Sequence, residues 1–171
     1  MIDTERLHLR PWRADELEAS HALTDDEESR RFLGGFSRRE ESYRRLMMTV
    51  GGWAVHGFGS FAVEDRATGA IVGTGGLFRM VRTLDDGDLP EAVEAGWIIA
   101  RQRWGEGLAG EAMRAAHAWW DREHGPGRTI CMIVRGNTAS ERIAARLGYR
   151  PFRDGEHKGD PVRLYERLPT R

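Results

Sequence analysis

Two repeating patterns of apolar residues divide the chain into predicted strands and helices. Alternation of apolar and polar residues, as between Arg6 and Arg10, predicts a strand, and apolar residues three or four positions apart predict a helix. Gly, Pro and Asp residues separate these segments. The predicted strands are residues 6–10, 60–64, 70–78, 93–100, 129–134, 149–153 and 162–167, and the predicted helices are 14–24, 37–49, 108–123 and 138–147.

Residues that favour helix ends refine these boundaries. Ser37, with Glu40 three residues later, has the pattern of a capping box, and the glycine pair at 51–52 is expected to end the helix that follows. Asn137 is the predicted N-cap of the last helix. The polar residues 84–90 and 154–161 are predicted to form loops.

Chain length and element order indicate the fold class. The order strand, two helices, three strands, helix, strand, helix, two strands predicts an α/β (α+β) protein. A chain of 171 residues is long enough to bury a sizeable core within one domain. We therefore expect a single domain spanning residues 1–171.

Composition argues against several functional classes. The 26 Lys and Arg residues and the 27 Asp and Glu residues give a formal net charge of -1, so no basic surface for nucleic acid is expected. No apolar run approaches the ~18 residues of a membrane span, and the start of the chain lacks the apolar segment of a signal peptide. We expect a cytoplasmic protein with neither nucleic acid nor membrane as partner.

The single cysteine and the histidines carry no predicted chemistry. Cys131 lies within an apolar strand pattern, which favours a buried structural thiol over a nucleophile, and a lone cysteine forms no intrachain disulfide. His117 and His124 lie on one helix, but no cysteine or carboxylate completes a metal-ligand pattern with them. We expect no metal site.

The segment from Gln102 to Gly110 contains the strongest functional signal. It joins a strand pattern to a helix pattern through three glycines. The first N–H groups of a helix have no intrahelical partner, the helix dipole adds partial positive charge there, and glycine lets an anion approach the backbone closely. The segment therefore predicts a phosphate site, most often for the pyrophosphate of a nucleotide-like cofactor.

Two phosphate-binding motifs match this segment only partly. A P-loop requires Gly-Lys followed by Ser or Thr, but an acidic residue follows Gly110, which excludes it. Gly105, Gly107 and Gly110 match the G-x-G-x-x-G of dinucleotide folds, although five residues lead from the strand to the first glycine and no acidic residue follows the next strand. Arg135 could bind a 2′-phosphate, so an NADP-binding reductase fragment stays open.

A wider set of residues resembles the GNAT N-acetyltransferase superfamily. Gln102-x-x-Gly105-x-Gly107 resembles its Gln/Arg-x-x-Gly-x-Gly/Ala signature, and residues 104–112 resemble its RimJ/RimL branch. Further blocks at 137–150 and 4–12 resemble the same branch. The resemblance implies a GNAT fold, with a mixed, mostly antiparallel sheet of about seven strands flanked by about four helices.

The resemblance also implies the cofactor and the residues that bind it. In the family, consecutive backbone N–H groups of the glycine turn hold the pyrophosphate of acetyl-coenzyme A. A main-chain N–H near Ile98 or Ile99 would contact the thioester oxygen, and Asn137 would contact the pantetheine arm. The implied contacts in the turn are Gln102, Arg103, Trp104, Gly105, Gly107, Leu108 and Ala109.

Glu94 and Ser140 are the candidate catalytic residues. Glu94 precedes the glycine turn and matches an acidic residue of the RimJ/RimL pattern, which suggests a general base; a solvated carboxylate near a strand edge is the alternative. Ser140 matches the serine proposed to protonate the leaving thiolate in RimL-like enzymes, and alternatively only satisfies a helix N–H. Other branches use a tyrosine at the position of Ala144.

Three functions remain open from the sequence. The first is an N-acetyltransferase acting on a primary amine, at a peptide N-terminus or on a small molecule, by direct attack in a ternary complex; a homodimer is compatible with it. The others are a non-catalytic acyl-coenzyme A binding or sensing domain and the NADP-binding reductase fragment. Residues 28–37 and 154–161 are expected to shape the acceptor site. The acidic residues that could attract a cationic amine, or simply be solvated, are Asp25, Asp26, Glu27, Glu28, Asp85, Asp86 and Asp88.

Overall fold

The computed structural model describes residues 1–33, 38–85, 87–89 and 92–169. The strands in these ranges are β1 (Ile2–Asp3), β2 (Leu7–Pro11), β3 (Ser60–Asp65), β4 (Ile71–Arg79), β5 (Thr83–Leu84), β6 (Gly87–Asp88), β7 (Val93–Ile99), β8 (Thr129–Val134), β9 (Arg150–His157) and β10 (Asp160–Arg167). The helices are α1 (Leu17–Ala22), α2 (Glu27–Arg30), α3 (Arg39–His56), α4 (Leu108–His124) and α5 (Thr138–Arg146).

Eight of the described strands form one sheet in the order β1-β2-β3-β4-β7-β8-β10-β9, and β5 and β6 pair separately. Every neighbouring pair is antiparallel except β7 and β8. The predicted mixed, mostly antiparallel sheet is confirmed, with one more strand and one more helix than expected. The extra elements, β1 and α2, are too short to show a period. This topology disagrees with the parallel sheet that a dinucleotide fold requires.

Helices cover both faces of the large sheet. Phe61 of β3 joins Met113 of α4 in the main buried cluster, whereas its neighbour Ala62 joins Leu46 of α3 in a second cluster. Consecutive strand residues point to opposite faces, so α4 and α3 lie on opposite sides of the sheet. Within the described ranges, no helix is both long and apolar enough to cross a membrane.

α3 continues about two turns beyond its predicted end. Gly51 and Gly52 lie inside it, and Gly57, with φ 74°, ends it. Each internal glycine costs about 1 kcal/mol of helix propensity relative to alanine. Tertiary packing outweighs this cost, since Trp53 contacts Phe61 edge-on with 4.9 Å between ring centres.

The starts of two helices differ in how well they were predicted. The capping box at Ser37 lies outside the described residues, and α3 begins at Arg39, after Arg38, whose side chain makes no capping hydrogen bond. Asn137 is confirmed as an N-cap, since its side chain accepts the N–H of Ser140 at 3.1 Å.

Both predicted polar loops contain strands. The prediction for residues 84–90 is wrong, because β5 and β6 form a hairpin and Leu84 is buried in a cluster with Val162. The prediction for residues 154–161 is also wrong, because β9 and β10 continue to a tight turn at 158–159. Because most side chains in these segments are polar, the sequence there lacks the alternation of apolar and polar residues that predicts a strand.

A buried polar network connects α4 to β8 and to the start of β9. His117 Nδ1 lies 2.7 Å from the carbonyl oxygen of Met113, so Nδ1 carries the proton. The other ring nitrogen then accepts the Tyr149 hydroxyl at 2.9 Å, and Thr129 donates its hydroxyl to the Tyr149 oxygen at 2.7 Å. This network requires the neutral form of His117, and burial lowers the pKa of His117 accordingly.

We expect His117 to make the protein less stable in acid. Below pH ~6.5 the histidine of the unfolded chain takes up a proton that the folded protein resists, so the free energy of unfolding falls as the pH decreases, by at most about 1.4 kcal/mol per pH unit. Urea unfolding of wild type and His117→Gln between pH 5 and 8 measures this. In His117→Gln, the free energy of unfolding should no longer show the part of its pH dependence that comes from this one proton. The control His56→Gln, at an exposed position, should keep that pH dependence. Parallel pH profiles for wild type and His117→Gln would contradict the assignment.

Candidate active site

The sheet opens between β7 and β8. Their described pairing is limited to two residue pairs, the last being Glu94 with Ile130, although both strands continue. Beyond Glu94 the strands separate around a cavity of about 600 Å³, lined by residues 95–98 of β7 and 131–134 of β8. Consecutive strand residues point to opposite faces, so the cavity passes through the sheet.

The main-chain groups of β7 alternate between β4 and this gap. The N–H of Ala100 donates to the carbonyl of Val72, on the β4 side, at 2.9 Å. Antiparallel ladders repeat every second residue, so the N–H of Ile98 also faces β4, whereas those of Trp97 and Ile99 face the gap. Of the two residues expected to supply an N–H here, Ile99 presents it to the gap and Ile98 does not.

The glycine turn follows β7 and leads into α4. It consists of a short 3-10 turn, Arg101–Arg103, followed by Gly105 and Gly107 with φ angles of 82° and 78°. Within the described chain, the N–H groups of residues 106–110 donate no hydrogen bond. They form a row of main-chain donors at a helix N-terminus, which fits a pyrophosphate.

Side chains of the turn hold it in place. The indole N–H of Trp104 donates to the carbonyl of Ile99 at 2.6 Å. Arg103 donates to both carboxylate oxygens of Glu106, at 2.8 and 2.9 Å, and contacts Asp65 at 2.9 Å. Its hydrogen bonds with Glu106 and Asp65 raise the pKa of Arg103. The guanidinium of Arg103 is therefore occupied by protein carboxylates, and its main-chain N–H donates to the carbonyl of Ala100 at 2.9 Å, so Arg103 positions the turn.

A second network ties the first turn of α4 to the edge of the sheet. Glu111 accepts hydrogen bonds from the Thr4 hydroxyl at 2.6 Å and from the Arg6 side chain at 2.7 Å. Arg6 also donates to the carbonyl of Glu106 at 2.9 Å. The sequence analysis missed these supports, because the partners are 100 or more residues apart.

Glu94 is buried where β7 and β8 separate. Its side chain is 7% exposed, and its carboxylate accepts a hydrogen bond from Arg82 Nε at 2.7 Å. Burial, with a further contribution from the charge of Glu94, raises the pKa of the Cys131 thiol on β8. The burial of Glu94 argues against a solvated surface carboxylate, and the predicted buried state of Cys131 is confirmed.

Asn137 and Ser140 line the same cavity from the N-terminus of α5. The Asn137 side chain is engaged in its cap, whereas the Ser140 hydroxyl has no hydrogen-bond partner among the described residues. Ala144, at the position where other branches have a tyrosine, is fully buried. Ser140 is thus the hydroxyl that α5 presents to the cavity.

The predicted site residues fall into two groups. Glu94, Ile98, Asn137 and Ser140 line the cavity, and Ile99 is buried beside it. The others lie outside the walls of the cavity, in the turn that follows β7: Gln102, Arg103, Trp104, Gly105, Gly107, Leu108 and Ala109.

Arg82 is a site residue that the sequence analysis missed. It follows β4 in a segment without apolar periodicity. The register of β4 and β7 places Phe78 beside Glu94, so only a correct strand pairing could have indicated that a residue shortly after Phe78 reaches the carboxylate. The residues at the β9–β10 turn that line the cavity are His157, Lys158 and Asp160.

Three of the acidic residues that could attract an amine are engaged locally. Asp25 pairs with Arg30 at 2.5 Å, and Asp26 caps α2. Asp85 accepts the N–H of Gly159 at 3.1 Å. None of these three lines the cavity, so Glu94 is the buried acid there.

Comparison with known proteins relates most of the chain to one enzyme family. The family model for the acetyltransferase (GNAT) domain matches residues 6–150. YkkB of Bacillus subtilis (strain 168) is 27% identical over 145 residues, which are 85% of this chain and 74% of that protein.

Solved structures extend the likeness over the whole fold. A GNAT-family acetyltransferase from Bordetella pertussis is 29% identical, with a TM-score of 0.83 and coverage of 98% of both chains. An acetyltransferase from Salmonella typhimurium, which modifies the N-terminal serine of ribosomal protein L7/L12, is 16% identical, with a TM-score of 0.75 and coverage of 98% of this chain and 97% of that chain.

These matches agree with the sheet topology and with the geometry of the glycine turn. Enzymes of this family are acyltransferases that use acetyl-coenzyme A, and the N–H groups of residues 106–110 fit its pyrophosphate. The L7/L12-modifying enzyme shares this fold. The chain belongs to the GNAT acetyltransferase family.

Proposed function

We propose that this protein transfers the acetyl group of acetyl-coenzyme A to a primary amine, at a peptide N-terminus or on a small molecule, by direct attack in a ternary complex. The arrangement of groups around the gap supports this most. The buried carboxylate of Glu94 lies where the gap opens, and the main-chain donors of residues 106–110 lie beyond its other end. When bound, acetyl-coenzyme A supplies a thioester that an amine can attack.

The glycine turn would hold the cofactor through its pyrophosphate. Main-chain donors at a helix N-terminus bind a phosphate without a positively charged side chain. The proposed contacts run from Gln102 to Ala109, with Asn137 beside the pantetheine arm. The side-chain networks of Arg103 and Arg6 keep this backbone in position before binding.

Glu94 is the proposed base for the amine. At pH 7, deprotonation costs about 1.4 kcal/mol for an α-amine of pKa ~8 and about 4.6 kcal/mol for a lysine of pKa ~10.4. A buried carboxylate in the cavity wall can accept this proton directly or through a water. The smaller cost favours an α-amine or a small-molecule amine over a protein lysine, and the N-terminal serine modified by the Salmonella relative supports that preference.

The remaining proton and charge movements have candidate residues on β7 and α5. The N–H groups of Trp97 and Ile99 face the gap and can donate to the thioester oxygen as negative charge develops there. As the amine nitrogen bonds to the carbonyl carbon, the C–S bond breaks, and Ser140 can donate a proton to the leaving thiolate. Cys131 is buried with a raised pKa, which argues against an acyl-enzyme.

A non-catalytic acyl-coenzyme A binding domain is the second candidate. The ion pair of Glu94 with Arg82 favours it, because a carboxylate held by an arginine can be purely structural. Thiol release from acetyl-coenzyme A with a panel of amines separates the two functions. Amine-dependent release supports the enzyme, and cofactor binding without release for any amine supports the binding domain.

We expect Ser140→Ala to lower kcat by at most about 100-fold, below the upper range of acid catalysis, because a thiolate of pKa ~8.5 needs little help to leave. Acetyl-coenzyme A affinity should stay unchanged. Steady-state kinetics with Thr138→Ala, an exposed residue on the same helix, provides the control. If both variants match wild type, the Ser140 hydroxyl takes no part in catalysis.

A further inference from the structure

Arg82 and Glu94 place opposite charges next to each other in the cavity wall. Among the described residues, Arg82 is the one that forms an ion pair with Glu94. The side chain of Arg82 is 21% exposed and that of Glu94 is 7% exposed. Both residues line the cavity, so a molecule inside it can reach both charges.

A second cation, Lys158, lines the same cavity. Arg82 directly precedes Thr83, whose carbonyl is 3.4 Å from His157 Nδ1, and Lys158 follows His157 at the β9–β10 turn. Lys158 has a φ of 55°, unusual for a residue other than glycine, and makes no ion pair among the described residues. Asp160 is the acidic residue at this turn that lines the cavity.

We infer that the acceptor is a zwitterion, an amine within a few bonds of a carboxylate or similar anionic group, as in a free amino acid. This inference rests on the proposed acetyl transfer and narrows its acceptor. The ammonium group of the acceptor pairs with Glu94, and its anionic group pairs with Arg82. These two new ion pairs replace the one that Arg82 and Glu94 form with each other.

Charge balance in a buried site supports this pairing. An amine that carries no anionic group is a cation at neutral pH; it competes with Arg82 for the Glu94 carboxylate and leaves the guanidinium without a partner, which is costly away from water. A zwitterion replaces both halves of the ion pair together. It also moves Arg82 off the carboxylate, which frees Glu94 to take the amine proton.

Matched acceptors test the inference. We expect wild type to acetylate L-amino acids with a higher kcat/KM than their carboxamides, compared at equal concentrations of neutral amine. Arg82→Gln should lower kcat/KM for amino acids about 10- to 100-fold more than for carboxamides, with the difference mostly in KM. Arg82→Lys should restore part of the preference, since it keeps the charge but loses the fork of donors.

Control measurements separate this role from a structural one. Arg128 forms a similar pair with Glu166, at 2.7 Å, outside the cavity, so Arg128→Gln should leave the preference unchanged. Melting temperature and acetyl-coenzyme A affinity report whether each variant folds. If Arg82→Gln does not fold, the two kinds of acceptor are compared with Arg82→Lys instead. Equal use of amino acids and carboxamides by wild type, or an equal loss for both in the Arg82 variants, overturns the inference. No acetyl transfer to any amine by a protein that binds acetyl-coenzyme A overturns the proposed function itself.

Discussion

Acetyl-coenzyme A affinity falls at least about 100-fold in Gly107→Val, because a branched side chain there blocks the approach of phosphate oxygens to several main-chain donors. Gly107 is the N-cap of α4, with φ 78° and ψ 6°. A Cβ at this position would meet only Arg6 Nη2, at 3.9 Å, so the protein itself leaves room for the side chain. Isothermal titration calorimetry with acetyl-coenzyme A measures the loss.

Gly57→Val is the matched control for backbone strain. Gly57 ends α3 with φ 74° and ψ 6°, nearly the same conformation, and a Cβ there would meet nothing within 4 Å. Both variants force a side chain into the left-handed region, at a cost of about 1–2 kcal/mol. Both should therefore melt at similarly lowered temperatures, while only Gly107→Val loses the cofactor. Normal affinity in Gly107→Val would refute the anion site.

Glu94→Gln should lower kcat/KM by about 100- to 10,000-fold near neutral pH, the range expected for loss of a general base. The amide can still accept a hydrogen bond from Arg82 but cannot take a proton. The loss should shrink as the pH rises, because the amine then deprotonates without help. The measurement is the pH profile of kcat/KM for both forms, together with acetyl-coenzyme A affinity, which should not change.

Glu16→Gln controls for the loss of a buried carboxylate. Glu16 is also 7% exposed and pairs with Arg10 and Arg13, but it does not line the cavity. Glu16→Gln should lower the free energy of unfolding without changing the pH profile of kcat/KM. Parallel profiles for wild type and Glu94→Gln would reduce Glu94 to a structural residue.

Local signals located the elements around the glycine turn well. α4 follows a glycine and carries regular apolar spacing, and its observed bounds, Leu108–His124, differ from the prediction by one residue. α3 was misjudged, because the packing of Trp53 outweighs the local effect of two glycines. The hairpin of β9 and β10 was cut short, because cross-strand ion pairs such as Arg163 with Asp154 make exposed strands look like loops.

The candidate site shows the same division between local and distant information. The turn and the cap by Asn137 depend on neighbours in sequence and could be predicted. The partner of Glu94 could not, because Arg82 reaches it through strand register and not through a repeating pattern. Which β7 amides face the gap is likewise decided by pairing with β4, which single-sequence patterns do not fix.

The short pairing of β7 with β8 also leaves few main-chain hydrogen bonds between the two parts of the sheet. Only two residue pairs of the described ladder join the N-terminal part of the sheet to β8, β10 and β9. A molecule seated in the gap contacts both parts and supplies cross-links that the backbone lacks. Ligand binding should therefore slow amide hydrogen exchange on β8 and β10, as well as at the turn, because the ligand adds contacts between the two parts of the sheet.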